Sequence, residues 1–318
     1  MLWFVLRRLV WTVFAIYLVL SGAFFLFAYT PDPNLALAQY GLSRKQAIAA
    51  KEAFIESRNY DEPILARYVD WVLDYATLDW GQSVTHGEPV TAVLAEAIPI
   101  TLTYLLPAIG LALVCGIGIG LYTAMHRGGL VDRVARTISY VGLGVPAFFL
   151  AEVTLVVAIT QLGLLGAYYD TRYGTWTIGN LDTFVLATLV MTTNLLAVQL
   201  RYVRAEALER LSADFVRTLR ANGSSPLAIA RHVFRNASPP LVSLFVTEVL
   251  TVLFVSVCVI EVVFRIPGFG QVAYEAILDR DIGLILATTL IPVLLGLLGT
   301  LLQDIAYAVL DPRVSVED

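Results

Sequence analysis

All three histidines, His86, His126 and His232, lie between the long apolar runs of the chain rather than inside them. A Ser-His hydrolase site within the bilayer therefore has no base to use. No H-E-x-x-H or G-x-S-x-G occurs, and neither Lys45 nor Lys51 completes a phosphate-binding loop. Catalytic residues and metal ligands are not expected, nor is any cofactor in this chain. The polar residues inside otherwise apolar runs are Glu152, Asn194, Gln199, Glu248, Glu261 and Asp304. Such groups are costly at membrane depth and usually face a cavity or a partner. Glu248, nearest the middle of its run, leads this set as a translocation-pathway candidate, with Asn194 and Glu152. Glu261 and Asp304 stand near run ends and are expected within reach of water. Cys115 and Cys258 fall inside apolar runs and read as small apolar residues.

A second constellation is the stretch "RTLRANGSSPLAIARHVFRN" at 217–236. From Tyr202 onward Leu208, Leu211, Phe215 and Leu219 recur at helical spacing, which predicts one amphipathic helix. "NGSSP" ends it: Gly223 suits a left-handed position past a helix end, and Ser225 and Pro226 suit the N-cap and first position of a second helix. That helix carries Leu227, Ala230 and Val233 or Phe234 on one face. Seven arginines lie between Arg201 and Arg235; at about 2.5–3.5 kcal/mol each at mid-bilayer, they exclude a membrane crossing. The insert is either an amphipathic pair lying on anionic lipid or a docking element for a partner.

The elements that position these groups follow from composition. Only 15% of the 318 residues are charged and mean hydropathy is +0.75, whereas a soluble domain carries about 25% charged residues. Runs long enough for a hydrocarbon core of ~30 Å occur at about 9–29, 98–125, 138–163, 183–200, 241–264 and 282–302. The expectation is an all-α, polytopic membrane protein with about six transmembrane helices. The first run is too long for a signal peptide and has no A-x-A-like cleavage site after it, so it reads as a retained anchor. With the N-terminus inside, the inner segments collect Arg7, Arg8, Arg127, Arg133, Arg136, the insert's arginines and Arg313, leaving Arg172, Arg265 and Arg280 in short outer loops. The positive-inside rule then puts both termini and the insert in the cytoplasm of a cell-membrane protein.

Three segments result: an anchor at 1–29, an extracytoplasmic helical segment at 30–97, and a core at 98–318 containing the loop 201–237. In the outer segment, Ser43 and Gln46 form a capping-box signature. Leu65, Val69, Val72 and Ala76 recur on one helix face that should pack over the bundle mouth. A further helix is expected to start near Pro89 and lead into the second span. "GIGIG" at 116–120 contains G-x-x-x-G, a close-packing signal.

"DFVRTLRANGSSPLAIARHVFRNASPP" resembles the EAA loop of ABC-importer permeases in the form used by the dipeptide/oligopeptide class. "FVLRRLV" is similar to that family's N-terminal anchor, "TPDPN" to its PGDP, and "GLGVPAFFL" to its GxSxPxF. "YVDWVLDYATLDWGQSVTHGEPVTAVLAEAIPITL" resembles its outer segment entering the second span. "EVVFRIPGFGQVAYEAILDRDIGLI" resembles ExVFxxPGxGxxxxxAxxxRDYP, and "DIAYAVLDPRV" its terminal DxxYxxLDPR. The departures are the missing Gly in the first loop, Gly144 for Ser and Gly283 for Pro; none touches the insert.

The resemblance implies a permease for short peptides in which Asp214, Arg217, Thr218, Ala221, Gly223 and Leu227 dock onto an ATP-hydrolysing subunit. Metal chelates and oligosaccharides are alternative solutes within the class. Expected partners are a homologous second permease, two ATPase subunits carrying ATP and Mg, an extracytoplasmic solute-binding protein and membrane lipid, with no nucleic acid. The rival classes are an intramembrane enzyme and a secondary transporter or channel; the latter needs no docking insert.

Overall fold

The computed structural model describes residues 2–30, 35, 39, 41, 43–57, 59–164 and 166–310. The PGDP-like stretch and the terminal "LDPRV" lie wholly or mostly outside these. Twelve α-helices are described: α1 (Leu2–Ala28), α2 (Arg44–Ser57), α3 (Ile64–Ala76), α4 (Val90–Met125), α5 (Leu130–Gly144), α6 (Ala147–Thr160), α7 (Leu181–Leu211), α8 (Asp214–Ala221), α9 (Pro226–Thr251), α10 (Val257–Phe264), α11 (Phe269–Asp279) and α12 (Ile282–Leu310). A π-helical segment, Val252–Ser256, joins α9 to α10. Among the described residues the only β contact is an isolated bridge between Gln82 and Pro89.

Four stretches are long and apolar enough to cross a membrane: Trp3–Ala28, Val90–Met125, Ile178–Leu211 and Ile282–Ala306. Two bent pairs, α5 with α6 and α10 with α11, raise the number to as many as six. The protein is thus an all-α, multi-pass membrane protein. With each bent pair counted as one crossing the ends alternate, so the segment between α7 and α9 defines an insert side, and the loops after α1, α6 and α11 lie on the opposite side.

Several expected boundaries are corrected. The third run is two helices bent by 106°: Pro146 holds Val145 extended at φ −96°, ψ 118°, as the residue before a proline requires. The insert's first helix is interrupted. α7 ends at Leu211, Ser212 Oγ donates to Glu209 O at 2.7 Å, and Ala213 is extended before α8 begins. The second insert helix and the first half of the fifth run are one helix, α9, which passes through Pro239 and Pro240; the rest of that run is the π-helical segment and α10. Proline cannot donate to the carbonyl four residues back, and Ser238 Oγ donates to Arg235 O at 3.0 Å instead. The helix α11 was not anticipated.

The face of α3 is corrected too. Leu65 and Val69 are 69% and 53% exposed, and the buried face is aromatic. Tyr68 and Trp71 pack on Phe24 of α1, Tyr75 is buried, and the hydroxyls of Tyr68 and Ser21 lie 2.6 Å apart. Rings bury more area per residue than Leu or Val, which decides the rotation. The Ser43–Gln46 cap is present in part: Ser43 N–H donates to Gln46 Oε1 at 3.2 Å.

The centre of the bundle is built from α4, α6, α7 and α10, with Tyr104, Leu155, Met191, Leu195, Ile260 and Phe264 fully buried. Where α4 meets α7 the small residues matter as expected. A Cβ on Gly116 would stand 2.8 Å from Gln199 Cβ, and one on Gly120 would stand 2.8 Å from Val203 Cβ. The G-x-x-x-G ridge therefore seats residues 199 and 203, one turn apart, against the α4 backbone.

Candidate functional site

On the insert side, the periodicity that predicted amphipathic helices also decides which residues face outward. Val216, Ile229 and Val233 are buried against Ala124 and Ala207, with Leu208, Leu211, Phe215 and Leu219 packed around them. Asp214, Arg217, Thr218, Ala221, Gly223 and Leu227 are all exposed; the expectation that Leu227 shares the packed face of α9 is corrected, since it is 80% exposed and Ile229 packs with Val233 instead. Gly223 has φ +71°, and its left-handed turn satisfies the end of α8 through Gly223 N–H to Arg220 O and Ser224 N–H to Leu219 O, each 3.0 Å. Ser225 caps α9 by accepting Ala228 N–H at 3.3 Å. The exposed surface is a turn with Arg217 paired to Asp214 at 3.4 Å and no other fixed partner for either head group among the described residues. Such a pair in solvent is worth little, so both groups stay available to another molecule.

An ion pair that sequence reading missed braces this surface. Arg204 on α7 donates to Asp132 at 2.6 and 3.2 Å, Gly128 N–H donates to the same carboxylate at 2.9 Å, and Arg136 stands 3.6 Å away. Asp132 is buried. The available signal was that Asp132 is the one acid among Arg127, Arg133 and Arg136.

Within the spans, Glu248 on α9 accepts Gln199 Nε2 at 2.7 Å, while its Oε1 is buried without a hydrogen-bond partner. Gln199 is held by its seat on Gly116. The pair thus joins α7 to α9, the two helices that flank the insert. Asn194 donates to its own helix at Val190 O, 3.2 Å, and Glu152 is exposed on α6, so neither is brought to the Gln199–Glu248 pair by a hydrogen bond.

The expectation that Glu261 reaches water is corrected: it is fully buried. Its Oε1 accepts Thr101 Oγ1 at 2.5 Å and Tyr104 Oη at 3.0 Å, and its Oε2 accepts the N–H groups of Gly270 and Gln271 at 2.6 and 3.0 Å. Phe269 N–H donates to Thr101 Oγ1 at 2.8 Å. The carboxylate therefore closes the N-terminus of α11, where unpaired N–H groups favour negative charge. A Cβ on Gly268 would lie 2.6 Å from Thr101 Oγ1, and one on Gly270 would lie 2.5 Å from Cys258 Cα. The spacing E-x-V-F-x-x-P-G-x-G is thus the geometry of a carboxylate capping a helix that folds back against it. Asp304 is in a salt bridge with Arg8 at 3.2 Å, tying α12 to α1.

Asp281 repeats the device at the head of α12. It accepts Ser83 Oγ at 2.7 Å, Thr85 N–H at 3.0 Å and Leu284 N–H at 3.2 Å, tying the turn before α4 to the last crossing. Burial pushes this carboxyl up, and the hydrogen bonds from Ser83, Thr85 and Leu284 outweigh it, leaving the group below its ordinary range.

A multi-pass helical bundle with polar side chains inside its crossings and a solvent-facing turn between two of them has the build of a membrane transport subunit. Residues 116–316 match the family described as "Binding-protein-dependent transport system inner membrane component", and the chain belongs to that family. It is similar to the dipeptide transport system permease protein DppB of Bacillus subtilis, 31% identical over 80% of this chain and 81% of that one. It is also similar to the oligopeptide transport system permease protein AppB of the same species, 29% identical over 84% and 85%. The metal-staphylopine import system permease protein CntB of Staphylococcus aureus is 28% identical over 98% of this chain and 97% of its own. The protein is a permease subunit of the ABC-importer type.

Proposed function

We propose that the chain carries short peptides across the cell membrane as one half of a pathway completed by a homologous second permease. In this reading the insert side is cytoplasmic and carries both termini, the segment 30–97 is extracytoplasmic, two ATPase subunits bind at the insert, and an extracytoplasmic protein delivers the solute. The observation that supports it best is the sorting of the insert. Asp214, Arg217, Thr218, Ala221, Gly223 and Leu227 face solvent together, while the apolar half of the same helices is packed. A helix pair lying on lipid would present its apolar half instead.

Coupling follows from mechanics. A motor shifts a conformational equilibrium only through contacts that differ between states. A push on the Gly223 turn passes into α7, braced by the Asp132–Arg204 ion pair, and into α9, which is unbroken from Pro226 to Thr251. Both helices meet again at Gln199 and Glu248. Glu248, with Asn194 and Glu152, is proposed to line the route. Peptide is favoured as solute by the relatives named for dipeptide and oligopeptide transport; the relative named for metal-staphylopine import supports a chelate as the second reading.

The test is solute uptake and ATP hydrolysis by the assembled transporter in proteoliposomes, with Gly223→Val and Arg217→Glu. Uptake should fall at least tenfold while the chain inserts normally. Unchanged uptake in both variants would remove the docking assignment.

A further inference from the structure

On the side opposite the insert, α1, α3 and the head of α12 border a half-open cavity of about 700 Å³, within the range of small-molecule sites. Its floor is apolar, with Phe24, Ile282 and Leu286. One wall is a run of rings: Trp71 and Tyr75 have centroids 4.2 Å apart, and Tyr75 and Trp80 stack at 5.5 Å. Trp80 Nε1 donates to Tyr75 O at 3.2 Å, which fixes its ring against the wall, and Trp71 and Trp80 are only half-buried. Asp70, Asp74 and Asp79 also line this cavity, and among the described residues their carboxylates take part in no ion pair or side-chain hydrogen bond. Four carboxylates against two guanidiniums line the whole cavity, and one of those, Arg67, already lies over the Tyr60 ring at 4.6 Å. The lining therefore favours a cation. An apolar floor, half-exposed rings and surplus carboxylate together select an organic ammonium group over a bare metal ion, because ring faces attract a weakly hydrated cation and apolar contacts hold its substituents.

We infer that this cavity binds an organic ammonium group, seated on Trp71 and Trp80 and neutralised by Asp74 and Asp79. The site does not rest on the docking reading, and its test needs no ATPase. The ammonium could come from an aminophospholipid headgroup, since α1 and α12 border the cavity, or from a free organic amine such as a peptide amino terminus.

The experiment uses the full chain in nanodiscs of phosphatidylglycerol alone. Tryptophan fluorescence is titrated with tetraethylammonium chloride against sodium chloride at equal ionic strength. A saturable change is expected with the organic cation only, and Asp74→Asn/Asp79→Asn, two exposed positions that leave the packing intact, should weaken it about tenfold. Nanodiscs containing phosphatidylethanolamine identify the source: apparent affinity for the probe falls several-fold if the headgroup occupies the site and is unchanged if the site serves a free amine, and either result sustains ammonium binding. No saturable change beyond the sodium control, or the same titration in the double variant, overturns it.

Discussion

Replacing Glu261 with Ala tests whether the motif that ends the fifth expected span is a structural cap. The carboxylate accepts four hydrogen bonds. On its loss Thr101 Oγ1 can turn to Ala97 O, already 3.4 Å away, so the cost from that hydroxyl is small. Tyr104 Oη and the N–H groups of Gly270 and Gln271 are left without their acceptor in a buried site. Each stranded donor costs about 1–3 kcal/mol, so the sum is about 3–9 kcal/mol before any water enters. At ~2 °C or more per kcal/mol, the melting temperature should drop by at least about 6 °C. The assay is thermal unfolding of the purified chain in mild detergent, read with a thiol-reactive dye. Cys258, whose Cα is the atom a Cβ on Gly270 would strike, reports on this contact, and Cys115 on α4 reports on the bundle. Glu261→Gln should fall between, because one amide oxygen can accept only part of what the carboxylate does. A melting temperature within 2 °C of wild type for Glu261→Ala would refute the capping argument.

Three further outcomes follow from other contacts. Arg204→Ala leaves the buried Asp132 with only Gly128 N–H and a guanidinium at 3.6 Å, so stability should fall by about 3 kcal/mol. Asp132→Ala/Arg204→Ala should lose less than the single variant in the same unfolding assay. Gly116→Ala drives a methyl to 2.8 Å from Gln199 Cβ, at a cost of about 1–3 kcal/mol, and it loosens the hydrogen bond to Glu248; Gly118→Ala, with open space around it, should leave the melting temperature unchanged. The Asp281 carboxyl is held below its ordinary value, so its charge stabilises the fold fully above that ordinary value and loses this effect as pH falls through the depressed one. The gap in melting temperature between wild type and Asp281→Asn should therefore be constant from pH 7 to about 5 and shrink below about pH 4; a gap that widens in acid would contradict the sign.

Helix content, the crossings and the insert were legible because each rests on local signals. Apolar runs of membrane length, arginine density and the N-G-S-S-P punctuation all act over a few residues, and Gly223 and Ser225 take the conformations their types imply. What escaped depends on partners distant in sequence. The rotation of α3 was decided by Phe24 and Ser21, more than forty residues away, which outweigh its Leu and Val stripe. Glu261 looked like a water-facing run end because its ligands at Thr101 and Tyr104 lie 160 and 157 residues back. The helix α11 is short and is capped by the Glu261 carboxylate nine residues before Gly270 rather than by its own N-cap residue, so no cap signature announced it. Pro239 and Pro240 stand between the expected second insert helix and the expected fifth span, and a serine hydroxyl helps carry α9 through them. At the candidate site, the residues of the insert were readable, but the Asp132–Arg204 brace and the Gln199–Glu248 bond required the fold.

The central claim is that the turn around Gly223 is where a motor protein grips the permease. The direct measurement places a photo-cross-linking amino acid at Leu227, 80% exposed beside that turn, in the full chain in its own membrane, with a second at the buried Val216 as control. Irradiation should yield a defined adduct between position 227 and an ATP-hydrolysing subunit, and none from position 216. Adducts of position 227 with lipid alone would contradict the account and leave the insert as a surface-bound helix pair.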